Sequence, residues 1–132
     1  MSRGAVGRLY RVGADLVLLS HFGFVAFAVL GGLAVAANRM WIWVHLPVVA
    51  WSAVVNLAGW ICPSTPLENF LRRRAGSAGY EGGFVRHYID PLVYPRGMPR
   101  RLERVAGVSI LLWNTLVYGV VWAWIGLAGL FP

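Results

Sequence analysis

Three histidines, one cysteine and five carboxylates carry most of the reactive chemistry in this chain of 132 residues. Cysteine, histidine and carboxylate side chains are ligands for zinc and iron. Cys62, Glu68 and His87 are therefore the candidate metal set, with Tyr88, Asp90 and Asp15 at a similar level. Each also has a structural reading. Cys62 can serve as a small apolar residue at a helix end. Glu68 can close a helix cap, and Asp15 suits the first turn of a helix. A single cysteine excludes an internal disulfide and a Cys-cluster zinc site. No glycine-rich phosphate loop, no His-Glu-x-x-His and no Ser-His-Asp ordering occurs. The sequence specifies no cofactor.

A second group of polar residues lies inside apolar runs. His21, Ser52, Asn56, Asn114 and Tyr118 each interrupt a hydrophobic stretch. Intramembrane ionisable residues invite a ligand or proton-handling hypothesis. The structural alternative, a buried imidazole hydrogen-bonded to Asn56 or Asn114, is favoured.

The elements that must position these residues follow from composition. Apolar residues make up 58% and charged residues 13%; average soluble domains have about 45–50% and about 25%. Mean hydropathy is +0.63. A chain this short cannot bury so much apolar surface in water. An ordinary soluble enzyme, a disulfide scaffold and a disordered tail are excluded, leaving an all-α integral membrane bundle.

Three stretches are long enough to span, about 12–37, 41–62 and 105–131, since about 20 helical residues cross the hydrocarbon. The third, roughly 40 Å as a helix, must tilt or protrude. The first resembles a secretory leader in its basic start and Ala34-Val35-Ala36, but its apolar stretch exceeds the 7–15 residues of such a leader. It reads as a span.

All 12 basic residues are arginines, and the net charge is +7. They flank apolar runs, so they point to topology and anionic lipid heads rather than nucleic acid. Only Arg39 lies between the first and second spans. The positive-inside rule then puts the N-terminus and the middle segment inside and the C-terminus outside.

The middle segment, 63–104, holds the local punctuation. Thr65-Pro66-Leu67-Glu68 has the pattern of a capping box with proline at the first helical position. It predicts a short interfacial helix from about Pro66 to Ala75, with Leu67, Phe70 and Leu71 on one face. Arg72, Arg73 and Arg74 suit its end, and Gly76 its stop. A second short segment, 84–94, is too short to span and is interfacial or re-entrant.

These boxes resemble a known family. Within Trp60-Ile61-Cys62-Pro63-Ser64-Thr65-Pro66-Leu67-Glu68-Asn69 and Gly79-Tyr80-Glu81-Gly82-Gly83-Phe84-Val85-Arg86-His87-Tyr88, the Cys-Pro-x-Thr-x-Leu-Glu box and the Gly-Phe-x-x-His-Tyr box are the most specific parts. His21, Gly31-Gly32, Trp43-Val44-His45-Leu46 and Tyr94-Pro95 extend the match over nearly the whole chain. The chain resembles the small bacterial membrane proteins grouped as domain of unknown function 2784. Ser64 stands where that box is expected to carry leucine. The resemblance implies a helical membrane fold and no established activity.

Helical phase aligns His21 with Ala14, Val17, Ala28, Gly32 and Val35. It aligns His45 with Val49, Ser52, Asn56 and Gly59, and Gly107 with Leu111, Asn114 and Tyr118. Three such stripes can close a polar seam away from lipid. Counted at 1.5 Å per residue, His21 lies about 10 Å from the inner end, Asn56 about 9 Å and Asn114 about 15 Å. These three are expected in one layer, with Asn56 the preferred partner of His21. His45, about 25 Å from the inner end, is expected to anchor the outer interface beside Trp41 and Trp43. Trp122 and Trp124 complete an outer belt and Trp60 sits at the inner boundary. Trp51 and Trp113 lie deeper, in helix packing or against a quinone, pigment or lipid.

Two function classes follow. The first is an accessory, assembly or interaction subunit of a larger membrane complex or a homo-oligomer. Its partners would be membrane lipids and either another membrane protein or a second copy. The second is a redox, metal or haem protein using the His, Cys and Glu residues above. A small transporter is a weaker third. The expected location is a bacterial inner membrane.

Overall fold

The computed structural model describes residues 3–84, 87–88 and 100–128, and helix dominates them. The helices are α1 (Arg3–Ala37), α2 (Ile42–Ala58), α3 (Ser64–Arg74) and α4 (Arg100–Ala128), with a single 3₁₀ turn at Arg39–Trp41. Three of them are long and apolar enough to cross a membrane. The fold is the expected all-α membrane-type bundle with one short helix. The 84–94 segment lies largely outside the described residues, as does the turn at 95–99.

The spans form where long apolar runs satisfy every backbone group internally, as a bilayer demands. The turn between α1 and α2 is set by Asn38, whose side-chain oxygen accepts the Met40 N–H at 2.9 Å. α2 stops at Gly59, which takes a left-handed conformation (φ 68°) that a Cβ would strain. α2 therefore ends four residues before the expected Cys62. α1 begins at Arg3, nine residues before the expected start at 12. At 35 residues it is about 52 Å long, well beyond the hydrocarbon. α3 packs against this N-terminal half: a Cβ on Gly13 would touch the Leu71 methyl at 3.6 Å.

α2 runs antiparallel to α1 and α4. Ala28 and Gly32 of α1 meet Asn114 and Val117 of α4 in rising order. His45 and Asn56 of α2 meet Tyr118 and Gly107 of α4 in reverse order. Gly107 lets α2 and α4 close up, since a Cβ there would come within 2.9 Å of Leu57.

The buried faces are the polar and small stripes. Ala14, His21, Ala28 and Val35 on α1, His45, Val49 and Ser52 on α2, and Asn114 and Val121 on α4 are all buried. Only 22%, 22% and 17% of the three apolar windows is buried, so most of each helix faces outward. Arg8, Arg11, Arg72, Arg73, Arg74, Arg101 and Arg104 gather at one end. Trp41, Trp43, Trp122 and Trp124 are exposed at the other, where the Arg39 guanidinium lies 5.8 Å from the Trp122 ring.

Candidate functional site

The arginine-rich end holds a network centred on Glu68. Its side chain is fully buried, at 0% exposure. Arg72 donates to Oε1 through Nε at 2.8 Å, one helical turn along α3. The phenols of Tyr88 and Tyr80 donate to Oε1 and Oε2 at 2.7 and 2.8 Å. Arg72 also faces Asp15 of α1 at 3.7 Å. Burial pushes the Glu68 carboxyl up. The bonds from Tyr88, Arg72 and Tyr80, with the Arg72 charge, outweigh it and hold the group below the usual carboxylate range. Burial and the adjacent carboxylate push both phenols up.

Asn69 fixes the loop that delivers Tyr80. Its amide donates to the Tyr80 carbonyl at 2.8 Å and accepts the Tyr80 N–H at 2.9 Å. The loop must approach closely: a Cβ on Gly79 would meet the Asn69 Oδ1 at 2.9 Å. His87 stacks flat on Tyr80, 3.8 Å between centroids.

This arrangement corrects the capping-box expectation. α3 starts at Ser64 with Pro63 at its cap position and no side-chain cap bond. Thr65 lies inside the first turn and is buried. Glu68 turns inward because one exposed cap bond stabilises by about 1 kcal/mol, whereas each bond to a buried charge contributes about 1.5–3 kcal/mol. The C-terminal expectation holds. Gly76 (φ 80°) donates to Arg73 and Ser77 to Arg72, a Schellman closure. The buried face of α3 is its polar one, Thr65, Glu68 and Asn69, while Leu67 and Phe70 face outward. Asp15 is not a first-turn acid, because α1 begins twelve residues earlier; it faces Arg72 instead. Asp90 lies outside the described residues.

The proposed metal set does not assemble. Among the described residues no three His, Cys, Asp or Glu side chains group closely enough to hold an ion. Cys62 contacts the Ser64 hydroxyl at 3.6 Å, Glu68 is consumed by its phenols and arginine, and His87 is exposed on Tyr80.

His21 is buried in the bundle at 6% exposure, as its phase predicts. Its expected partners bond elsewhere. Asn56 donates to the Ser52 carbonyl of its own helix at 2.8 Å. Asn114 donates to the Ala28 carbonyl of α1 at 3.0 Å and to Ile110 at 2.9 Å. Asn114 therefore sits seven residues beyond His21 along α1, toward the tryptophan-rich end, about 10 Å away, because α4 pairs Gly107 rather than Asn114 with Asn56. The His21 ring stacks on Phe84 at 4.0 Å. Its Nδ1 is sealed without a partner. The ring also walls a cavity of about 60 Å³ shared with Ser52, Asn56, Cys62 and Trp51.

His45 is not an interface anchor. It is completely buried, and its Nδ1 lies 2.8 Å from the Tyr118 hydroxyl. Gly31 and Gly32 make the space: a Cβ on Gly31 would come within 2.9 Å of Nε2 and of the Phe27 ring. The signal was in the sequence, since small residues such as Gly31 and Gly32 in a span mark a close helix approach. Depth counting alone missed it. Trp113 packs as expected, donating to the Val29 carbonyl at 2.8 Å.

The chain matches the family described as "Protein of Unknown function (DUF2784)" over residues 11–119. It belongs to that family. The match takes in His21, His45, the Glu68 network and most of α4. No curated protein and no solved structure matches the chain.

Proposed function

We propose that this DUF2784 protein is an accessory or assembly subunit of the bacterial inner membrane, joined to a second copy or to another membrane protein through α4. One observation carries the reading. The outward face of α4 bears Thr115, Gly119, Ala123 and Gly126, all exposed. A Cβ at Gly119 or Gly126 would meet nothing within 4 Å. The first three recur every four residues, the spacing that lets transmembrane backbones approach closely. Gly31, Gly32 and Gly107 are taken up by close contacts inside the bundle, whereas this face is unused within the chain. Arginine clustering at one end supports an inside N-terminus, with anionic lipid heads around the arginines.

The test is association in bilayers. Donor- and acceptor-labelled protein in vesicles should show energy transfer, or protein from native membranes should carry a stoichiometric partner. Gly119→Ile should abolish either result while leaving helix content unchanged. A monomer with no partner in both preparations overturns the proposal.

A further inference from the structure

Beyond any interaction role, the chain has a cavity beside His21. We propose that this cavity binds the head of a quinone-class lipid: a neutral planar ring bearing carbonyl oxygens on an apolar tail. The cavity is small, about 60 Å³, but it is not isolated. It shares His21, Phe24, Trp51 and Cys62 with an open groove of about 610 Å³. Leu16, Val17 and Leu67 line that groove. A polar recess leading into an apolar gutter fits a small head on a long chain.

The polar atoms select the head. His21 is more than nine-tenths buried, and its Nδ1 is sealed without a partner. A sealed bare acceptor is tolerated better than a sealed N–H. The neutral ring therefore carries its proton on Nε2, the nitrogen left to reach the cavity. An N–H in a dry site calls for an acceptor such as a carbonyl oxygen. Asn56 uses one amide proton on Ser52 and keeps the other for the same cavity. Trp51, Trp60, Phe24 and Phe84 supply aromatic walls for a planar ring. Among the described residues that line the cavity, Glu103 is the one charged side chain, and it opposes a phosphate or carboxylate head. A phospholipid head is thereby disfavoured.

The experiment uses the full chain in neutral-lipid nanodiscs and titrates a short-tailed benzoquinone against tryptophan emission. The expected result is saturable quenching. His21→Leu should weaken it at least tenfold, and His21→Gln, which keeps a donor, should retain most of it. Trp51→Phe should remove the largest share of the saturable component, a readout that survives even if His21→Leu fails to fold. An alkyl alcohol of matched chain length should not compete. Quenching that rises linearly with quinone and is the same in Trp51→Phe overturns the site. Equal competition by the alcohol overturns the ring specificity, and competition by anionic phospholipid overturns the neutral head.

Discussion

The two ends of the bundle each bury a histidine and treat it differently. At the tryptophan-rich end, His45 fills the space left by Gly31 and Gly32 and pairs with Tyr118. At the arginine-rich end, His21 stacks on Phe84 beside a cavity and has no bond from its sealed nitrogen. His45 has the Tyr118 hydroxyl as its partner and packs tightly against Gly31, so it joins α1, α2 and α4. His21 has free volume and spare hydrogen-bonding capacity, which a lock does not need. The neighbouring Glu68 network supplies the rigidity at that end. A buried histidine thus marks a site where the cavity is left open, and a joint where glycine and phenol close around it.

The largest effect should come from removing the rigid part of the arginine-rich end. Glu68→Ala leaves two half-buried phenols and Arg72 without their acceptor. Breaking a buried pair by deleting one partner costs about 3–5 kcal/mol. Arg72 is partly exposed, so a loss near about 3 kcal/mol is expected, read as earlier thermal unfolding in detergent. Helices α1, α2 and α4 should stay associated, because none of their mutual bonds involve Glu68. Collapse of the whole bundle would show that the two ends are not separable.

The same network should respond to pH. The folded Glu68 carboxyl lies below its ordinary value of 4.5. Its contribution is therefore present above about pH 4.5 and is lost as pH falls through the folded value. Tyr80 and Tyr88 lie above their ordinary 10.0. Their contribution is complete below about pH 10 and is lost as pH rises through the folded values. Proteolysis of the 76–83 loop should accordingly be slowest between these limits. A protection profile flat from pH 3 to 7 contradicts the acid arm.

At the tryptophan-rich end, Gly31→Leu should be the stronger perturbation. The added side chain would overlap His45 and Phe27, and overpacking of this kind costs typically about 1–3 kcal/mol. His45→Ala in the same chain should recover part of the loss, because it vacates the occupied space. A double variant no more stable than Gly31→Leu alone would place the clash elsewhere.

Much of this contrast was legible in the sequence. Phase placed His21, Ala28 and Val35 of α1, His45 and Ser52 of α2, and Asn114 of α4 on buried stripes, since 3.6-residue periodicity is local. Pairing between stripes was not legible. It depends on how far each helix extends beyond the hydrocarbon, and α1 begins nine residues before its apolar run. That shift lets Asp15 face Arg72. The register of α4 likewise carries Asn114 past His21 to Ala28. The Glu68 network was hidden for another reason. A capping box is a local motif, and only the fold brings Tyr80 and Tyr88 to the same carboxylate.

The smallest effect should come from the His45–Tyr118 bond itself. His45 Nε2 faces Gly31 with no partner. By the same preference for a bare acceptor over a bare N–H, the proton sits on Nδ1 and is donated to the Tyr118 oxygen. Tyr118→Phe removes that acceptor and keeps the ring that packs at 5.8 Å from the imidazole. Interhelical hydrogen bonds in membranes average only about 0.6 kcal/mol, because the separated helices find other partners. The expected loss is of that size, visible as a shift of a few degrees at most in detergent melting. In His45→Ala the same Tyr118→Phe change should have no further effect. A loss several times larger in the single variant would mean that the bond, rather than the glycine-shaped fit, holds the tryptophan-rich end together.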